Sequence, residues 1–217
     1  YSGSLDIENC GVIEPSKNVQ AADSNAKQKG VTNVSESDVA CGKLTLLVNG
    51  GTDDANMPNI WQQNLQADAY PVWGDKGVYH FRTLIKNKYG TLCLPYEVKS
   101  NEQISYYTFV GDKLVNGTLM LTFKYTDTVP AGTPALFLPL EYLYYYFPCT
   151  GNTIEENKTN VSGTPDSSWM FTGTFKETVI DDATEAQSVY YVSDNTIRNA
   201  KKVTIAPYRA YFRGPNI

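Results

Sequence analysis

The chain has 217 residues and a formal net charge of −5, long enough for one well-buried core or for a main domain with a smaller appendage. Its acidic balance argues against a phosphate-binding surface, because nucleic-acid binders carry a basic footprint and the cluster Lys201, Lys202, Arg209 and Arg213 is too small to reverse the sign. No stretch approaches the roughly 18–20 apolar residues of a membrane-spanning helix, and the 16 tyrosines, with threonine and valine in short runs, suit pleated, half-buried strands.

In chain order, Leu5 and Ile7 alternate with polar neighbours and predict a short opening strand. From Glu14 to Asp38 the chain is poor in aromatics and rich in Ser, Asn, Lys and Ala; this fits a short helix around Val19 to Gln28 or, preferred here, a surface connection. Leu44, Leu46 and Val48 alternate with Lys43, Thr45 and Leu47 and predict a strand, closed by a positive-φ turn at Asn49-Gly50-Gly51 and followed by a polar loop to Pro58. Trp61 to Trp73, with Leu65, Tyr70 and Pro71, fits neither a helix nor a strand pattern and is expected to wrap across a sheet edge.

After Gly77 the alternation becomes regular, with Tyr79, Phe81, Thr83 and Ile85 on one face of a half-buried strand and His80, Arg82 and Leu84 on the other. Leu92 to Pro95 and Ile104 to Val110 follow, then a hairpin whose Asn116-Gly117 turn lies between Leu114 and the run Leu119, Leu121, Phe123, Tyr125. In Val129 to Pro134, Pro130 suits the second position of a turn and Gly132 its last, delivering Ala135 to Leu138 into the core. Leu140 to Phe147 carries aromatics on both faces and is expected to be buried on both sides or packed under another element. Thr150 to Ser168 reads as an exposed loop, and Trp169 to Phe175, Val189 to Val192 and Val203 to Phe212 read as strands, with Ser193-Asp194-Asn195 as a turn. Many short strands between turns predict an all-β, antiparallel, jelly-roll-like sandwich with a smaller N-terminal β/loop element.

Three segments, Tyr89-Gly-Thr-Leu-Cys-Leu-Pro95, Val129-Pro-Ala-Gly-Thr-Pro134 and Ile205 to Phe212 with its Arg-Ala-Tyr-Phe close, resemble in this order a C-terminal β-rich module of large secreted surface proteins of Bacteroidales such as Bacteroides and Prevotella, found in BspA-like and GLUG-repeat proteins. Cys41 to Tyr79 is similar to an element that precedes that module, and Ser2 to Cys10 is similar to the end of a GLUG-type repeat. The resemblance implies three parts: 1–37, the end of an upstream β-repeat plus a linker; 38–78, a small accessory β element packed on the main domain; and 79–217, the sandwich. It also implies export to the cell surface in association with the outer membrane, and a spacer or adhesive role without catalytic residues. The partners implied are neighbouring domains of the same polypeptide and a glycan or host surface protein.

The residues themselves offer little chemistry. Cys10, Cys41, Cys93 and Cys149 are isolated from one another, which excludes a C-x-x-C pair and leaves buried free thiols as the commoner reading. His80 is the sole histidine and no Gly-x-Ser-x-Gly elbow accompanies it. Asp53, Asp54, Glu141, Asp181 and Asp182 supply carboxylates, but nothing in their spacing selects a glycosidase pair. Asp53, Asp54 and Asn56 offer calcium-type oxygens without the Asp-x-Asp-x-Asp-Gly spacing, so no cofactor is expected and Ca²⁺ is the one metal the residues would admit. Aromatic rings stack on sugars, which makes Trp61, Trp73, Trp169 and Tyr145, the last within the Tyr142, Tyr144, Tyr145, Tyr146 group, the candidate ligand-binding residues. Asp127-Thr128-Val129 is similar to the O-glycosylation pattern of secreted Bacteroidales proteins, with Thr128 as the acceptor.

Overall fold

A computed structural model of the chain describes residues 6–8, 11–13, 27–29, 32–49, 61–65, 68–74, 82–145, 147, 161–162, 167–181 and 187–216, the side chains of 6–8, 11–13, 27–29, 32–33, 37, 143–145 and 161–162 lying outside that description. The chain divides into two compact units, one of residues 1–81 with 146–149 and one of residues 82–145 with 150–217.

The first unit begins with four short strands, β1 (Asp6–Glu8), β2 (Gly11–Ile13), β3 (Lys27–Lys29) and β4 (Thr32–Val34). β1 pairs in parallel with β3 and β2 with β4, and the two pairs share one offset, Asp6 opposite Lys27 and Gly11 opposite Thr32, as successive coils of a stacked β-repeat do. The surface connection expected through Asp38 is thus interrupted by two strands. Helix α1 (Glu36–Ala40) starts from a reciprocal cap: the Asp38 N–H donates to Ser35 Oγ, and the Ser35 N–H donates to the Asp38 carboxylate, both at 3.1 Å. Gly42, at φ 80°, turns the chain into α2 (Lys43–Val48).

A strand was expected where α2 lies. Leu44, Leu47 and Val48 also satisfy the i, i+3, i+4 spacing of a helical stripe, and that stripe closes a small core with Val34 and Val39. In so short a run the packing partner, rather than the alternation, chose the period. Asn49, expected to open a positive-φ turn, has φ −89° and ends the helix instead. Strands β5 (Trp61–Gln62) and β6 (Val72–Trp73) then form an antiparallel hairpin, so the stretch that fitted neither pattern folds on itself.

The second unit is an antiparallel sandwich. Its strands are β7 (Arg82–Leu84), β8 (Gly90–Leu92), β9 (Val98–Lys99), β10 (Ile104–Val115), β11 (Thr118–Thr126), β12 (Thr128–Val129), β13 (Ala135–Pro139), β14 (Leu143–Tyr145), β15 (Val161–Ser162), β16 (Met170–Thr174), β17 (Thr178–Asp181), β18 (Ser188–Ser193), β19 (Thr196–Ala200), β20 (Lys202–Ile205) and β21 (Arg209–Gly214). One sheet has the order β11-β10-β13-β8 and the other β15-β16-β21-β18-β19.

Between the sheets lies an aromatic core. Phe109 and Leu136 of the first sheet pack with Trp169, Phe171, Tyr190, Ala210 and Phe212 of the second. Phe171 and Phe212 stack at 4.3 Å between centroids, and Phe109 and Phe123 meet both rings edge-on. The alternate residues of the second sheet, Val189 and Tyr211, face away from this core into a second cluster with Ile180 and Ile205 of the β17–β20 ribbon.

The turns follow their residues. Asn116 (φ 50°) and Gly117 (φ 77°) form a two-residue hairpin turn with both positions left-handed, as do Asp194 and Asn195 between β18 and β19. The Pro130 turn is shifted by one position from the sequence expectation. The Thr133 N–H donates to the Pro130 carbonyl, so Pro130 stands first and Gly132, at φ 73°, takes the third position, where a positive φ is required. The burial expected of Leu140 to Phe147 does not hold at its start, where Leu140, Glu141 and Tyr142 are exposed before β14 pairs with β7.

Candidate ligand-binding surface

The three signature segments converge inside the second unit. The Cys93 N–H donates to the Tyr208 carbonyl, the Gly132 N–H to the Leu94 carbonyl at 2.7 Å, and the Ala210 N–H to Thr91 Oγ1 at 3.1 Å. The Cys93 thiol donates to the Gly132 carbonyl at 3.3 Å. Arg82, read from sequence only as one residue on a strand face, closes the junction. Its Nη1 donates to the Thr91 carbonyl at 2.5 Å, its Nη2 to the Tyr208 carbonyl at 2.6 Å, and its guanidinium lies 5.4 Å from the centre of the Phe137 ring.

Burial holds the Arg82 pKa well below the ordinary guanidinium range, and neighbouring Arg209 lowers it further. Two backbone carbonyls and an aromatic face are what a desolvated cation needs in order to stay in a core. Tyr208 holds φ 58°, costly for a non-glycine residue, while its carbonyl accepts from both Cys93 and Arg82. Burial pushes the Cys93 thiol up to about 12, so it stays protonated and unreactive at neutral pH. Cys93 and Cys41 are both buried, while Cys10 and Cys149 lie outside the described residues.

The sequence-predicted aromatic residues separate. Trp169, at 1% exposure, is part of the sandwich core, 4.6 Å from the Tyr190 ring and against Gly214, so the expectation that it binds ligand is overturned. Its strand alternates, and the face carrying Trp169 and Phe171 is the one turned to the first sheet. The Tyr145 side chain lies outside the described residues. Tyr142 of the same group is exposed.

Trp61 and Trp73 are brought together as direct cross-strand partners, their rings 5.8 Å apart at 77°. Trp61 is half-buried, whereas Trp73 is 73% exposed and Tyr70 57%. The hairpin stands on polar supports that leave little freedom. Asn49 mimics a neighbouring strand, its Nδ2 donating to the Trp61 carbonyl at 2.7 Å and its Oδ1 accepting the Trp61 N–H at 3.0 Å. Gln63 is buried and saturated, with Nε2 donating to the Val39 and Asp68 carbonyls and Oε1 accepting from Thr45 Oγ1. Asp68 caps the intervening turn through the Asn64 N–H at 2.7 Å. Tyr70 was not singled out from sequence; its position beside Pro71 in a polar stretch was the available signal.

The remaining candidates do not gather. Asp53, Asp54, Asn56, His80 and Asp182 lie outside the described residues. Glu141 is exposed, and Asp181 forms a surface ion pair with Lys202 at 3.9 Å. Among the described residues no group of three or more His, Cys, Asp or Glu side chains is placed to hold a metal, and no helix is long and apolar enough to cross a membrane. Thr128 is half-buried in β12, opposite Lys99, and its backbone N–H and C=O both bond to Thr126 Oγ1. No family model matches the chain, and neither the curated proteins nor the solved structures contain a match to it.

Proposed function

We propose that the chain is a non-catalytic adhesion module of a larger surface protein and that it engages glycan through the Trp61–Trp73 hairpin. The observation that carries this reading is the 73% exposure of Trp73 on a hairpin fixed by buried polar bonds. An indole in water forgoes the burial energy of a large apolar ring, about 25 cal/mol per Å². A rigid exposed ring offers area for a sugar's C–H face at little entropic cost. Asn49, Gln63 and Asp68 orient the backbone that holds the ring, and no proton transfer or nucleophile enters the mechanism.

The cell-surface spacer role implied by the sequence resemblance is compatible with this reading, since a module can both connect and adhere. The test is a glycan array probed with the wild-type chain and with Trp73→Ala. The wild type is expected to bind at least one saccharide, and the variant to lose tenfold or more of that affinity with an unchanged melting temperature. An array with no wild-type binding, or a variant that binds as well as the wild type, would contradict the proposal.

A further inference from the structure

The inner face of the first sheet changes character along β10 and β11. Phe109 and Phe123 stand opposite each other and pack against Phe171 and Phe212. Two residues further along each strand on the same face come Tyr107 and Tyr125, again opposite each other. Phenylalanine occupies the layer that packs against the second sheet, with Phe109 buried and Phe123 half-buried. Tyrosine occupies the margin, where the body is apolar and the tip is wet.

The margin continues across the sheet. Tyr89, immediately before β8, meets Tyr107 at 6.0 Å and 69°, and Tyr107 meets Tyr125 at 6.0 Å and 75°, giving a row of rings that crosses the sheet with Tyr89 38% and Tyr125 49% exposed. The loop carrying Tyr89 is clamped rather than loose. Asn195 Oδ1 accepts the Tyr89 N–H at 2.7 Å, Asn195 Nδ2 donates to the Asn87 carbonyl at 2.9 Å, and Lys88 pairs with Asp194. At the other end Tyr125 donates its phenol to the exposed Asp127 carboxylate at 2.6 Å.

We propose that Tyr89, Tyr107 and Tyr125, together with Asp127, form a second saccharide-binding surface, selective for neutral polysaccharide. It shares its ligand class with the Trp73 reading but belongs to the other unit and stands on its own residues. The rings supply stacking area. The Asp127 carboxylate keeps lone pairs beyond the one used by Tyr125, and these accept sugar hydroxyls. Lys88 is engaged with Asp194, and among the described residues no ion pair neutralises the Asp127 carboxylate that an acidic chain would meet. Neutral chains are therefore favoured.

The experiment is affinity electrophoresis of the full chain in gels cast with mannan, xylan, dextran or soluble β-glucan, with polygalacturonate as the anionic counterpart. The wild type, Trp73→Ala, the double variant Tyr89→Ala/Tyr125→Ala and the combined triple variant are compared. Trp73→Ala is expected to keep the part of the retardation in a neutral gel that the second unit carries, the tyrosine double variant to lose that part, and the triple variant to lose at least tenfold overall and migrate freely. Tyr89→Phe/Tyr125→Phe, which keeps the rings and the fold, is expected to bind within a few-fold of wild type. Nitration of Tyr89 and Tyr125 by tetranitromethane, mapped by mass spectrometry, is expected to fall when the neutral polysaccharide is present.

A tyrosine double variant that binds as wild type while Trp73→Ala loses everything would overturn this surface and leave the Trp73 reading intact. The reverse pattern would support it and remove the Trp73 reading. Retardation by polygalacturonate equal to or greater than that by the neutral gels, or none in any gel, would overturn it.

Discussion

The motif junction of the second unit and the tryptophan hairpin of the first use unusual side chains in opposite ways. At the junction Arg82 is a cation in a core, Tyr208 is a non-glycine residue in the left-handed region, and Cys93 is a thiol hydrogen-bonded to a carbonyl; all three are buried, and the Arg82 and Cys93 side chains are turned toward backbone. In the hairpin the polar groups Asn49, Gln63 and Asp68 are again directed at backbone, but what they fix is an indole in water. Distinctive sequence therefore marks architecture in one place and a presented surface in the other. Tyr89 apart, the segments Tyr89 to Pro95, Val129 to Pro134 and Ile205 to Phe212 stand out because they meet one another inside the unit.

Substitutions should separate the two regions. The largest effect is expected at Arg82. Arg82→Met leaves the Thr91 and Tyr208 carbonyls without their cationic donor and should cost about 3 kcal/mol, since hydrogen bonds to charged groups are each worth about 1.5–3 kcal/mol. Arg82→Lys keeps the charge but not the two-pronged donor and should fall between, both read by urea denaturation. Next is Gly90→Ala, whose new Cβ would lie 2.2 Å from Cζ of the buried Phe137 ring. Overpacking of that kind should cost about 1–3 kcal/mol, visible as a lowered melting temperature.

A smaller effect is expected at the start of α1. Burial works against the Asp38 carboxylate, but the Ser35 N–H and side chain and the Lys43 ammonium at 3.2 Å outweigh it and hold its pKa below the ordinary value. A folded-state pKa below the unfolded one means the stabilisation is present above the unfolded value, near 3.9, and disappears as pH falls through the folded value. Asp38→Ala should cost about 1 kcal/mol at pH 7 and little at the most acid pH at which the fold persists, measured by denaturation across pH. The smallest stability effect is expected at Trp73, where truncation should change the unfolding free energy by less than about 0.5 kcal/mol. A substantial loss at Trp73, or none at Arg82, would dissolve the contrast.

Much of the sandwich was legible in the sequence, because turn chemistry is local. Asn116-Gly117 produced the hairpin it signalled, and Asp194-Asn195 the expected turn, which leads into the strand Thr196–Ala200 that the sequence reading did not contain. The Lys43–Val48 run was not legible, because six residues satisfy a period of two and a helical stripe alike and Val34 and Val39, distant in pattern, decide between them. Nor could alternation say which face of a strand would be covered. Trp169 and Trp73 are the same residue type in short strand-like contexts, yet one is buried in the core beside Phe212 and Tyr190 of its own sheet while the other lies 73% exposed beside Trp61. Arg82 was invisible for a related reason, since its acceptors are the backbone carbonyls of residues far along the chain.

Whether Trp73 is presented for binding and contributes little to the fold is decided by a paired measurement on wild type and Trp73→Ala. Retardation in polysaccharide gels is read beside thermal unfolding of the same samples. Trp73→Ala is expected to lose the part of the retardation carried by the first unit while its melting temperature stays within about 2 °C of wild type, the shift corresponding to under about 0.5 kcal/mol for a chain of this size. Unchanged retardation with a lowered melting temperature would contradict it and make Trp73 a structural residue of its hairpin.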